Sequence, residues 1–248
     1  MKRPGKKKVS HQSQEIRLNR FIANAGVCSR READKLIADG LVKVNGDTVR
    51  EMGFKVSKAD KVSYKGKQLK SETHQYVLLN KPKGFITTTN DPQERKTVMS
   101  LVEKACKERI YPVGRLDRDT SGLLLFTNDG ETAKKLTHPS HKVKKIYQVE
   151  LDKPITKEDV EKIASGVELE DGQAQVNQLA VVSNDNKTLG IEIHIGRNRI
   201  VRRIFEHLGY EVKKLDRVMF GTLTKKNLPR GKFRLLNPKE IVAIKGIK

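Results

Sequence analysis

Tryptophan is missing from this 248-residue chain, and aromatic residues make up only 5% of it. Carbohydrate-processing clefts stack their ligands on large rings, so a glycoside hydrolase is a distant reading. Cysteine is scarce too: Cys28 and Cys106 lie far apart and form no Cys-x-x-Cys pair. Two free thiols in a reducing cytoplasm are the expectation. The six histidines supply no His-Glu-x-x-His and no His/Cys cluster with zinc spacing, so no protein-bound metal is expected. Nowhere do ~18 apolar residues run together, which leaves no candidate membrane-spanning helix. The opening "MKRPGKKKVSHQSQ" is basic, without an apolar stretch or a small-residue cleavage site, and is not read as a secretory signal.

Positive charge is what the chain has in excess. Net +21, with one third of all residues charged, argues for a polyanionic partner, because lysine and arginine neutralise phosphates and release their counterions. The excess is uneven. Residues 1–72 hold 18 Lys and Arg against 8 Asp and Glu, net +10, and the other 176 residues share the remaining +11. That asymmetry predicts a separate anion-binding module at the front, with residues 1–14 a basic disordered tail.

From Ile16 a helical period begins. Leu18, Phe21, Ile22 and Ala25 share a face, and Gly26 closes the helix. Ser29 with Glu32 three residues on spells a capping box for a second helix that Gly40 stops. Asn45-Gly46 and Lys65-Gly66 then predict two hairpins. "RLNRFIANAGVCSRREADKLIADGLVKVNGDTV", residues 17–49, resembles the α-L RNA-binding module of the ribosomal-protein-S-four type. The resemblance implies RNA contacts by Arg20, Arg30, Arg31, Lys35 and Lys43; the alternative is a solvated basic face.

After residues 70–75 the pattern becomes α+β. "YVLLNKPKG", "GLLLFTN", "KKIYQVEL", "QVNQLAVV" and "GIEIHI" read as strands. "TVMSLVEKAC", "DGETAKKLTHP", "TKEDVEKIASG" and "RIVRRIFEHLG" read as helices. They do not alternate as regular βα units, so a doubly wound parallel sheet is not expected.

Two stretches can carry chemistry. In "YPVGRLDRDTSGLLLFTNDG", Asp117 and Asp119 stand among Arg115 and Arg118 at the entrance to a buried strand. A carboxylate beside cations keeps a lowered pKa and stays ionised, as a nucleophile or proton acceptor must. A solvated turn with local ion pairs is the plainer alternative, and Asp119 is read as the residue that fixes this turn. In "HIGRNRIVRRIFEHLG", Arg199, Arg202 and Arg203 at i, i+3, i+4 predict one cationic helix face, suited to chemistry or to phosphates alone. Tyr147 in "KKIYQVEL" means little by itself, since alternating strands often carry a core tyrosine.

Together, "YPVGRLDRDTSGLLLFTNDG", "KKIYQVEL" and "GRNRIVRRIF" resemble the three signatures of the RsuA/RluB-type ribosomal RNA pseudouridine synthases. "KPKG" near 81 and "LPRGKFRLLNPKEI" fit as well, and the likeness spans residues 16–243. Ile200 and His194-Ile195 depart from the family's usual residues. The resemblance implies an α+β chain: an α-L domain over 15–72, then a synthase domain over 73–248 with a mixed, mainly antiparallel sheet and flanking helices. It implies isomerisation of one uridine in ribosomal RNA, nearer to the large-subunit enzymes, with no cofactor. The implied roles are Asp117 as catalytic aspartate, Tyr147 as active-site tyrosine and Arg202 as their basic partner. Arg115, Arg199 and Arg203 would contact substrate RNA. A cytoplasmic monomer is expected, with ribosomal RNA as partner. The competing reading is a noncatalytic RNA-binding or ribosome-assembly factor that kept the fold.

Overall fold

The computed structural model describes residues 15–247; the basic stretch 1–14 lies outside them. The chain falls into two compact units that divide between Thr73 and His74.

The first unit runs β1 (Ile16–Arg17), α1 (Leu18–Asn24), α2 (Arg30–Ala38), β2 (Val42–Val44), β3 (Asp47–Thr48), β4 (Lys55–Val56), β5 (Val62–Tyr64) and β6 (Lys67–Gln68). Helix α1 ends as Gly26 turns to φ +73°, and α2 begins on its capping box. There the Ser29 hydroxyl accepts from the Glu32 amide at 3.3 Å, and the Glu32 carboxylate accepts from the Ser29 amide at 2.7 Å. Asn45 and Gly46 sit at φ +55° and +99°, the left-handed pair that lets β2 turn directly into β3. Leu18 and Ile22 of α1, Ala33 and Ile37 of α2, and Val42 and Val62 of the strands close the core.

The second unit contains β7 (Tyr76–Lys81), α3 (Met99–Val102), β8 (Tyr111–Pro112), β9 (Ser121–Thr127), α4 (Gly130–Thr137), β10 (Lys145–Leu151), α5 (Lys157–Ser165), β11 (Gln178–Val181), β12 (Thr188–Ile193), α6 (Ile200–His207), β13 (Val212–Phe220), β14 (Leu223–Thr224), β15 (Phe233–Leu235) and α7 (Pro238–Lys245). The strands form one sheet in the order β11-β12-β10-β13-β9-β7-β15, with β8 beside β9 and β14 beside β13. The architecture is α+β, and the sheet is mixed: β13 and β9 run parallel, while the other pairings are antiparallel.

Strands β7 and β9 are buried on both faces, which is why "YVLLN" and "LLLF" are continuous apolar runs. Val77, Leu79, Leu124 and Phe126 join one core cluster, and Tyr76, Leu78, Leu123 and Leu125 join the other. The helix expected within 97–106 shrinks to the single turn α3. Its approach is used otherwise: Thr97 bridges Ile86, the Val98 amide donates to the Ile86 carbonyl, and Val98 offers no side-chain cap. Strand β13, which no sequence pattern announces, is the central strand of the sheet.

The parallel junction is short, pairing only Asp216 with Ser121 and Arg217 with Gly122. Gly122 has φ +110°, and a Cβ there would lie 2.3 Å from the Arg217 carbonyl oxygen and 2.4 Å from its amide nitrogen. Glycine is what lets the two strands come alongside. Among the described residues no helix is long and apolar enough to cross a membrane.

Candidate active site

The loop that enters β9 carries Asp117, and the rest of the second unit grips that loop by its main chain. Five consecutive carbonyl oxygens, 116–120, each accept a hydrogen bond. Thr87 Oγ1 donates to Leu116 O at 2.7 Å, and Gly84 N to Arg118 O at 2.9 Å. Lys81 Nζ donates to Asp117 O at 2.9 Å and Thr120 O at 2.8 Å, with a longer bond to Arg118 O at 3.4 Å. Asp119 O accepts from Arg202 Nη2 at 3.4 Å. The Lys81 ammonium, at the end of β7, is therefore the clamp on this turn, and the side chain of Asp119, expected to fix it, is exposed. Lys81 itself is fully buried. Burial pushes its ammonium down to about 8, against the opposing pull of Asp117 and Asp119.

The third signature is arranged differently from the expectation. Arg199, Arg202 and Arg203 do not share a helix face, because α6 starts only at Ile200 and Arg199 precedes it in a left-handed conformation, φ +44° and ψ +29°. That kink swings Arg199 toward the loop, with Nη1 3.9 Å from the Asp117 carboxylate and Nη2 3.6 Å from Glu206. Arg202, expected to pair with Asp117, instead turns into the core of α6 and is buried. Its guanidinium donates to Val212 O at 2.8 Å and reaches the carbonyl of Asp119, so it holds the backbone of the aspartate loop and not the carboxylate. Arg203 forms a two-pronged bond with Asp171 at 2.6 and 3.0 Å. Arg197 closes on the same segment through Asp171, Gly172 and Gln173. Arg203 first, then Arg197, holds the Asp171 carboxyl well below the usual carboxylate range.

A cleft of about 330 Å³ opens at this point and is lined by Arg115, Asp117, Lys145, Tyr147, Arg199 and Arg217, among others. It brings together Asp117, Tyr147, Arg115 and Arg199 of the expected residues and leaves out Arg202 and Arg203. Lys145 and Tyr147 are two apart on β10 and so share its inward face. Arg217, on β13, is the cross-strand partner of Tyr147. Burial, then the charge of Arg217, pushes the Lys145 ammonium down to about 8 while its Nζ donates to His194 O at 2.8 Å. A second cleft, of about 520 Å³, lies over Gln148 and Glu150, the opposite face of β10. There Asp216 is held by Ser121, Lys225 and Arg230. The first cleft is the candidate site, since it holds both the gripped aspartate and the tyrosine. Among the described residues no group of three His, Cys, Asp or Glu side chains could hold a metal ion.

Sequence reasoning missed Lys81, Lys145 and Arg217. Lys145 carried a signal, its i−2 spacing from Tyr147, whereas Arg217 could be found only by reading "VKKLDRVMF" as a strand. In the first unit Arg30, Arg31, Lys35 and Lys43 are exposed on α2 and β2, and Arg20 is half-buried on α1.

Known proteins resemble this chain in sequence and fold. A family model described as RNA pseudouridylate synthase matches residues 75–207, and the S4 domain model matches residues 16–62. The chain is 43% identical over 235 residues to the ribosomal large subunit pseudouridine synthase B of Bacillus subtilis, covering 93% of this chain and 96% of that one. It is 40% identical over 234 residues to an uncharacterized RNA pseudouridine synthase of Aquifex aeolicus, covering 93% and 94%. A crystal structure of a pseudouridylate synthase superposes with a TM-score of 0.66 at 30% identity, covering 92% of this chain and 99% of that one.

Proposed function

The chain belongs to the RNA pseudouridylate synthase family, and from that premise we propose that it converts one uridine of large-subunit ribosomal RNA to pseudouridine through Asp117. The reaction breaks the C1′–N1 bond, turns the uracil and rejoins it through C5. The C5 proton is lost and N1 gains one, so composition is unchanged and no redox partner is called for. Either attack of Asp117 on C1′ or removal of the C2′ proton uses the same carboxylate, and both need it held still. Misplacement by ~1 Å can cost on the order of a hundredfold in rate. The observation that carries the reading is the run of five bonded carbonyls around Asp117, at the mouth of a cleft walled by Tyr147.

The base leaves its stack to enter this cleft, at a cost of a few kcal/mol. Tyr147 packs against it there, Arg199 neighbours the carboxylate, and Arg202 and Lys81 hold the loop. Arg115, exposed beside Asp117, contacts the flanking phosphates. The S4 domain, with Arg20, Arg30, Arg31, Lys35 and Lys43, adds affinity for the RNA.

Pseudouridines mapped in ribosomal RNA from cells with and without this protein test the reading. One large-subunit position should lose its modification in the deletion strain and regain it with the wild-type chain but not with Asp117→Asn. A position restored by Asp117→Asn would mark the chain as an assembly factor instead.

A further inference from the structure

Strand β13 is irregular where it passes Tyr147. Its pairing with β10 jumps from Ile146↔Met219 to Tyr147↔Arg217, leaving Val218 unmatched. In a regular strand residues 217 and 220 point to opposite faces; the extra residue puts them on the same one. The Arg217 guanidinium accordingly lies 4.7 Å above the Phe220 ring, and its Nε donates to Leu123 O at 2.8 Å. Both contacts fix the plane of the group. Arg217 is 3% exposed, lines the cleft with Asp117 and Tyr147, and its Nη2 has no acceptor among the described residues.

A buried cation with an unmet donor is costly, and this one has a second cation, Lys145, on the neighbouring strand lining the same cleft. The carboxylate of the cleft, Asp117, stands beside Arg199. The floor of the site therefore carries two cations and one donor, Arg217 Nη2, that no described residue accepts from. The reaction supplies a match. When C1′–N1 breaks, the bonding pair stays with the uracil, and the negative charge spreads over N1, O2 and O4.

We propose that Arg217 is a catalytic residue whose free N–H donates to a carbonyl oxygen of the uracil and stabilises the charge on the ring as C1′–N1 breaks, with Lys145 as a second positive neighbour. The proposal rests on the pseudouridine synthase reading and adds to it a group that acts on the leaving base, where Asp117 acts on the sugar. Donors aimed at developing charge in a water-poor site are worth about 10²–10³ in rate.

The test uses the full chain and an RNA fragment carrying the target position as uridine or as 5-fluorouridine, whose ring bears negative charge more easily. Single-turnover loss of the N1-linked nucleoside is followed for wild type, Arg217→Gln and Arg217→Lys, beside RNA dissociation constants and melting temperatures. Arg217→Gln should slow uridine by about a hundredfold and 5-fluorouridine by about tenfold or less, with RNA affinity nearly unchanged. Arg217→Lys, which keeps a charge, should show the same narrowing to a smaller degree, and it decides the question if the glutamine variant does not fold. Equal losses on both substrates would reduce Arg217 to a packing residue, and an unchanged uridine rate would remove it from the chemistry. If the wild type leaves uridine unreacted, the pseudouridine reading fails and takes the assignment of Arg217 with it, whereas a reactive wild type with either of those two results puts the failure on Arg217 alone.

Discussion

Replacing Asp117 by asparagine exchanges one oxygen for an amide nitrogen and leaves all five carbonyl bonds of its loop in place. Pseudouridine formation should fall on the order of a thousandfold or more, with RNA affinity unchanged; product assay and binding assay on the same preparation check this, and turnover within tenfold of wild type would contradict the role. Arg202→Lys tests the loop instead. A flexible ammonium cannot span Val212 O and Asp119 O as the planar guanidinium does. The single-turnover rate should drop by roughly a hundredfold while the dissociation constant for RNA moves little, and a loss confined to affinity would contradict it. Asp117 stood out through one long signature and Tyr147 only through its company with the other two, and the structure brings both to one cleft. The exchange of places between Arg199 and Arg202 was not, because helical spacing assumes a helix. A residue that steps into left-handed geometry just before α6 obeys no such spacing.

Elements were legible wherever one local rule governed them. A capping box announced α2, left-handed pairs announced the hairpins, and apolar runs announced β7 and β9; α4 and α5 also begin on side-chain caps, Asp129 and Thr156. Strand β13 stayed hidden because Lys213, Lys214, Asp216 and Arg217 break its apolar alternation; Lys213 pairs with nearby Glu211, but Lys214, Asp216 and Arg217 reach Glu150, Ser121 and the Leu123 carbonyl, far away in sequence. Helix α4 offers a pH test of such a cap. Asp129 accepts from the amides of Glu131 and Thr132 and from the hydroxyls of Tyr76 and Thr132. Burial pushes its carboxyl up, but the bonds from Tyr76 and Thr132 outweigh this and hold it at about 2, below the ordinary 3.8. A carboxyl lowered by folding stabilises fully above its unfolded value and loses that contribution as pH falls through the folded one. Asp129→Asn should therefore cost about 2 kcal/mol near neutrality, and denaturation curves of the two proteins should converge as pH drops from about 4 towards 2. A gap independent of pH would assign the cap to geometry alone.

At the scale of the whole molecule, composition revealed the partner's charge before any motif did. It could not say how that charge is divided between gripping RNA and building the fold, because a buried lysine and a solvated one read alike. Lys81 spends its charge on carbonyls, whereas Arg30, Arg31, Lys35 and Lys43 keep theirs at the surface. A fragment of residues 74–248 keeps the sheet and both of its core clusters. It should fold, bind RNA more weakly and show a shallower salt dependence, by about 0.7–0.9 in log–log slope for each phosphate contact removed. Titrations at several salt concentrations would expose an unchanged slope, which would deny the first unit a part in gripping RNA.

A loop held by its carbonyls is indifferent to its own spelling. Every amino acid brings the same main-chain oxygen, so the bonds from Lys81, Gly84, Thr87 and Arg202 put no demand on the side chains they surround. Arg115, Arg118 and Asp119, all exposed, are open to substitution around a stationary reactive group. Descendants of this scaffold can thus be readdressed to new targets without reinventing the chemistry, and a randomised library at those three positions is where retargeting would begin.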